Sequence, residues 1–79
     1  NPGNNVHVRG LHPRTTQEDL EDIFGKFGTL EKVQIMKDPR TQEPRGFAFV
    51  TFAEVDPAQE AIQALNGTNL DGRSIIVEK

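Results

Sequence analysis

Hydrophobic residues follow two different periods along the chain, and these periods separate predicted strands from predicted helices. Between residues 6 and 11 apolar positions alternate with polar ones, as in a half-buried strand whose Val6 and Val8 side chains face inward. Residues 47–52 are rich in aromatic and β-branched side chains, which is typical of strands. In all, four strands are predicted, over residues 6–11, 31–37, 47–52 and 74–79.

A first helix is predicted between the first two strands, where apolar residues recur at helical spacing. Its apolar stripe consists of Leu20, Ile23, Phe24 and Phe27. The helix could begin at either of two N-caps, because Thr15 with Glu18 and Thr16 with Asp19 both have the spacing of a capping box. Gly28 is expected to end this helix.

A second helix is predicted between the third and fourth strands. Its inner stripe consists of Ala58, Ala61, Ile62 and Leu65. Asp56 is expected to be the N-cap, with Pro57 at the first helical position, and Asn66-Gly67 is expected to end the helix.

The resulting order βαββαβ predicts an α+β fold, a ferredoxin-like sandwich. Four strands form one antiparallel sheet, both helices pack on one of its faces, and no element is left to cover the other face. Residues 6–79 are predicted to form this domain, and residues 1–5 a flexible N-terminal lead. The uncovered face, called here the open face, is where a function is expected.

The third strand is predicted to display aromatic rings on the open face. Ala48, Val50 and Phe52 share one side and are expected to pack against the helices. The opposite side then presents Arg45, Phe47, Phe49 and Thr51. Leaving two phenyl groups uncovered is costly, since burying each is worth roughly 1.5–3 kcal/mol. An aromatic pair on a polar sheet face therefore indicates a binding partner.

Charge is distributed unevenly over the predicted fold. The net charge of −3 argues by itself against a nucleic-acid partner, because phosphate contacts require lysine and arginine. The predicted helices, however, carry or adjoin six of the twelve acidic residues, namely Glu18, Asp19, Glu21, Asp22, Asp56 and Glu60. Arg9, Lys32 and Arg45 are expected on the sheet, where they can attract phosphate locally.

Residues 45–52, Arg-Gly-Phe-Ala-Phe-Val-Thr-Phe, match the ribonucleoprotein-1 pattern at every position. With this segment in the third strand, the chain resembles the RNA recognition motif family over residues 6–79. Residues 6–11 occupy the place of the ribonucleoprotein-2 segment, with His7 where the family usually has an aromatic residue and Gly10 where it often has asparagine. The sequence also resembles the transformer-2 type of splicing regulator in its Asn-Pro-rich lead, in residues 8–11 and in residues 38–41.

The resemblance implies a domain that stacks two or three bases of single-stranded RNA on its sheet. Phe47 and Phe49 match the family's stacking positions, His7 matches a third, and Arg45 matches the residue that meets a phosphate. Three further residues are expected on the same face, Arg9, Lys32 and Ile76. The resemblance to splicing regulators implies a role in pre-mRNA splicing or mRNA processing, within a ribonucleoprotein in the nucleus, with shuttling to the cytoplasm left open.

Two other kinds of function fit the sequence less well. A protein-binding domain of this family would use its helical face, or an Arg-x-Phe motif before the last strand, but no Phe stands two residues after Arg73. An enzyme would need a nucleophile, a general base or metal ligands. His7 and His12 lack nearby carboxylates at ligand spacing, cysteine is absent, and no glycine-rich phosphate loop is present. The sequence thus predicts no catalysis, no cofactor, no metal site and no membrane span, in a monomer that could take a protein partner on its helices.

Overall fold

The chain forms a four-stranded antiparallel sheet with two helices, in a computed structural model that describes residues 3–79 apart from the side chain of Pro44. The elements are β1 (Asn5–Arg9), α1 (Gln17–Phe24), β2 (Leu30–Lys37), β3 (Pro44–Phe52), α2 (Val55–Leu65), β4 (Asn69–Leu70), β5 (Arg73–Ser74) and β6 (Ile76–Glu78). The strand order in the sheet is β2-β3-β1-β6, which confirms the predicted fold.

The hydrophobic core lies between the inner face of the sheet and the helices. The sheet contributes Val6, Val8, Ala48, Val50, Phe52 and Val77, and the helices contribute Leu20, Phe24, Ala58 and Ala61. Val8 stands opposite both Ala48 and Val77, so the small and branched side chains of three strands form one continuous apolar layer. The predicted inward positions of β1 and β3 are therefore confirmed.

The start of α1 resolves the choice between two threonines. The Thr16 hydroxyl accepts a hydrogen bond from the Asp19 amide, and the Asp19 carboxylate accepts one from the Thr16 amide, which completes a capping box. Thr15 instead is buried and donates its hydroxyl proton to Asp71 at 2.7 Å. It thereby joins the loop before α1 to the turn near the end of the chain.

The predicted end of α1 at Gly28 was wrong, because the helix stops at Phe24 with Gly25 as its C-cap. Phe27 still packs against the core, from a turn in which its amide donates to the Phe24 carbonyl at 3.1 Å. Gly28 has a different role: a Cβ there would lie 2.6 Å from the Cβ of Pro57. A glycine at this position allows the chain to approach the first turn of α2 closely.

The predicted N-cap of α2 was also wrong. Glu54 is the N-cap and makes no side-chain capping hydrogen bond, so that Asp56 and Pro57 both lie inside the first turn. Proline is tolerated there because the first four amides of a helix have no partner within it, and a carboxylate there favours the helix dipole. The predicted end is confirmed, with Asn66 as C-cap and Gly67 at φ +82°.

The first and last strands differ from their predicted ranges. β1 begins at Asn5, and the Asn4 side chain donates to the Phe52 carbonyl at 2.7 Å, so the sheet extends into the predicted lead 1–5. Residues 1 and 2 of that lead lie outside the described residues. The last predicted strand, 74–79, is broken at Ile75: Ser74 belongs to a small β4–β5 hairpin, and only Ile76–Glu78 joins the main sheet.

Between residues 3 and 79, neither helix has the length and apolarity needed to cross a lipid bilayer.

Candidate functional site on the open face of the sheet

Cross-strand pairing arranges the open-face side chains in rows that run across three or four strands. The central row, from β2 to β6, is Gln34, Phe49, His7 and Glu78. On one side of it lies the row Phe47, Arg9 and Ile76, and on the other the row Lys32, Thr51 and Asn5. The predicted site residues of β1, β2, β3 and β6 therefore share one surface, away from the helices.

Three rings form a continuous aromatic cluster in the middle of this surface. The rings of His7 and Phe49 meet edge to face with centroids 4.6 Å apart, and those of Phe47 and Phe49 do so at 6.1 Å. His7 is exposed, whereas the two phenylalanines are half-buried because each ring shelters its neighbour. Around the cluster lies an apolar depression of about 260 Å³, lined by His7, Val8, Arg9, Phe47, Ala48 and Phe49.

Arg45 adds a positive charge directly beside the aromatic cluster. Its Cζ atom lies 5.5 Å from the centroid of the Phe47 ring, a cation–π geometry. Between these two residues Gly46 adopts φ +84°, a conformation that other residues rarely take, and its carbonyl accepts a hydrogen bond from the Leu11 amide. The backbone at the start of β3 is thus held in a shape that places an exposed guanidinium over the edge of the cluster.

Arg9 lies on the open face and forms an ion pair there. Its Nη2 atom lies 3.2 Å from Oε1 of Glu78, across the boundary between β1 and β6. Both side chains remain about half exposed, at 55% and 48%, so the pair stays accessible to a ligand. Since an exposed ion pair contributes little to stability, its position on the open face matters more than its strength.

Lys32 and Ile76 lie at the margins of the cluster. Lys32 is exposed and pairs with Thr51, one row away from the rings. Ile76 is 44% exposed and pairs with Arg9, so it extends the apolar surface onto β6. Met36, near the end of β2, is half-buried at an irregular part of the β2–β3 pairing.

The open face carries polar residues that the sequence prediction did not include in the site. Glu78 lies two residues after Ile76 in β6 and therefore faces the same side of the sheet. This spacing could have identified Glu78 as an open-face residue. Asn5 and Thr51 are joined by a hydrogen bond of 2.7 Å from the threonine hydroxyl to the asparagine Oδ1. Gln34 lies directly opposite Phe49 on the same face.

Metal chemistry finds no support among residues 3–79, where no group of three or more His, Asp and Glu side chains could hold an ion. His12 has a local structural role, because its Nδ1 accepts a hydrogen bond from the Arg14 amide at 3.0 Å. The arrangement instead combines flat rings, an adjacent guanidinium and exposed polar groups on an accessible sheet. Such a surface can stack planar bases and hold the phosphates that join them.

The sequence of residues 6–76 matches the model of the RNA recognition motif family, and the chain belongs to this family. The solved structure of the RNA15 RRM is similar in fold, with a TM-score of 0.93 and 25% identity over 100% of this chain and 91% of that one. A structure described as an Sxl-lethal protein/RNA complex is 37% identical, with a TM-score of 0.90 over 96% of this chain and 47% of that one.

A full-length relative is also known. The chain is 46% identical over 79 residues to the serine/arginine-rich splicing factor SR45a of Arabidopsis thaliana. The alignment covers 100% of this chain but 21% of that protein, so the chain spans about a fifth of the length of this relative.

Proposed function

We propose that this domain binds single-stranded RNA on the open face of its sheet, in a protein of pre-mRNA splicing or mRNA processing. One observation carries the proposal: the Phe49 ring contacts the rings of both His7 and Phe47 on the face away from the helices. Stacking needs such flat platforms, and each stacked base contributes about 1–3 kcal/mol. The RNA complex and the splicing factor among the similar proteins support this role. The nucleus is the compartment consistent with it.

The size of the cluster limits the length of RNA that it can hold. Two or three stacking platforms accommodate about three to five nucleotides, with phosphates reaching Arg45 at one end and Lys32 at the other. Two good stacks offset by the loss of translational freedom give roughly micromolar affinity for the domain alone. The domain is proposed to act as a monomer, since one sheet face supplies every contact that this binding mode needs.

Chemical-shift mapping tests the proposal directly. When the ¹⁵N-labelled domain is titrated with a pool of random RNA pentanucleotides, the largest shifts are expected at the amides of β1 and β3, around His7, Phe47 and Phe49. Little change is expected in α1 and α2, whose acidic side chains repel phosphate. Shifts confined to the helices, or no shift at millimolar RNA, would contradict the proposal.

Substitution of Arg45 is expected to weaken binding modestly and to reduce its salt dependence. Because Arg9 is paired with Glu78, phosphate contacts are expected from Arg45 and Lys32. Each contact with a single strand contributes about −0.7, so the slope of log K against log[salt] should be about −1.4. Arg45→Ala should reduce this slope by about 0.7 and lower the affinity a few-fold, as fluorescence anisotropy at several salt concentrations can measure. Lys26→Ala, which removes the same charge beyond the end of α1, is the matched control and should leave the slope unchanged.

A further inference from the structure

A carboxylate on the open face is unexpected if that face receives a polyanion. Glu78 lies directly opposite His7 in the β1–β6 pairing, beside the aromatic cluster. Its strand is held firmly, because the neighbouring Val77 is buried and its amide donates to the Asn66 side chain at 3.0 Å. Glu78 therefore has a defined position at the edge of the cluster, where a base stacked on His7 would end.

The carboxylate is oriented by Arg9, yet it retains acceptor capacity. Arg9 Nη2 lies 3.2 Å from Oε1, while the Glu78 side chain is 48% exposed. An ionised carboxylate has two oxygens and about four acceptor sites, so one guanidinium contact leaves room for further donors. Arg9 also offsets the negative charge locally, which reduces the repulsion between Glu78 and approaching phosphates.

The four RNA bases differ in what they offer to such a group. Guanine presents two adjacent donors, N1–H and N2–H, which match the two oxygens of a carboxylate. Adenine and cytosine present one amino group beside an acceptor nitrogen, and uracil presents one N–H between two carbonyl oxygens. The acceptors of these three bases would face the carboxylate and repel it. Guanine also carries O6 next to N1–H, within reach of a guanidinium held beside the carboxylate.

We propose that Glu78, positioned by Arg9, selects guanine at the nucleotide stacked on His7. This inference rests on the proposed function, since it assumes that RNA lies across the open face. In this proposal the Arg9–Glu78 pair recognises one base, whereas the sequence led us to expect that Arg9 binds phosphate. The rings remain the source of affinity, and the pair adds preference for one base at one position.

The test compares Glu78→Gln with Glu60→Gln, a control that removes the same charge from the exposed side of α2. Glutamine keeps the shape of Glu78 but replaces one acceptor by a donor, which would face the guanine amino group. Random RNA pentanucleotides are first selected on the wild-type domain. Anisotropy titrations then measure the affinity of each protein for the best sequence and for the same sequence with inosine in place of each guanine. Inosine differs from guanosine only in lacking the N2 amino group.

The wild type is expected to select guanine at one position and to lose about tenfold in affinity with inosine there. This difference should disappear in Glu78→Gln and persist in Glu60→Gln. The inference, but not the proposed function, would be overturned if the wild type selected RNA without a guanine. The same holds if Glu78→Gln bound all sequences more tightly than the wild type by the same factor. Retention of no RNA by the wild type would overturn both.

Discussion

Replacing Phe47 and Phe49 together by alanine is expected to lower RNA affinity about a thousandfold, from roughly micromolar to near millimolar. The two rings supply two stacking platforms at about 2 kcal/mol each, and 4 kcal/mol corresponds to about this factor. Arg45 would also lose the ring over which its guanidinium lies. Isothermal titration calorimetry or anisotropy with the selected RNA measures the loss.

The fold should survive this double substitution, because both rings are on the open face and only half-buried. The matched control is Ile62→Ala, which removes a partly buried apolar side chain from α2, away from the sheet surface. It is expected to lower stability while leaving RNA affinity unchanged. Circular dichroism of all variants checks folding; an unfolded Phe47→Ala/Phe49→Ala protein would show that these rings belong to the core.

Phe52→Ala, in the same strand but on the other face, is expected to destabilise the domain severely. Phe52 is fully buried and its ring lies 6.3 Å from that of Phe24, at the centre of the core. Such a substitution costs about 3–5 kcal/mol, whereas a domain of this length has a total stability of roughly 4–12 kcal/mol. Urea denaturation followed by circular dichroism should show a midpoint far below that of the wild type.

Phe49→Ala provides the internal comparison, since it makes the same chemical change three residues earlier on the opposite face. It should shift the urea midpoint much less than Phe52→Ala, because a half-buried ring loses less apolar contact when it is removed. If the two variants were equally destabilised, the assignment of inner and outer faces in β3 would be wrong.

The open-face cluster was predictable because a strand has a period of two. Once Val50 and Phe52 were assigned to the core, the positions of Phe47 and Phe49 on the opposite face followed from local geometry alone. The same argument placed His7 between the inward Val6 and Val8. No long-range information was needed, since the side of a strand on which a residue lies depends only on its neighbours in sequence.

Helix boundaries were less predictable because several signals competed at each end. At α1, Thr15 and Thr16 had equivalent capping patterns. Thr15 makes a hydrogen bond with Asp71, 56 residues away, and Thr16 is the N-cap. At α2, Asp56-Pro57 had the local pattern of a helix start, yet the helix begins before it. A cap contributes only about 0.5–2 kcal/mol, so a single tertiary contact can outweigh the local pattern at such an end.

Periodicity in the sequence was enough to predict the order of the two helices and the four strands of the main sheet, the inward and outward faces of β1 and β3, and the aromatic residues of the site, because periodicity is a local property; the β4–β5 hairpin was not predicted. Only the tertiary structure decided which open-face residues from different strands become neighbours. Arg9 and Glu78 are far apart in sequence, and the antiparallel pairing of β1 with β6 brings them to 3.2 Å. The pairing of these two charges depends on strand register, which arises from packing of the whole sheet against its helices.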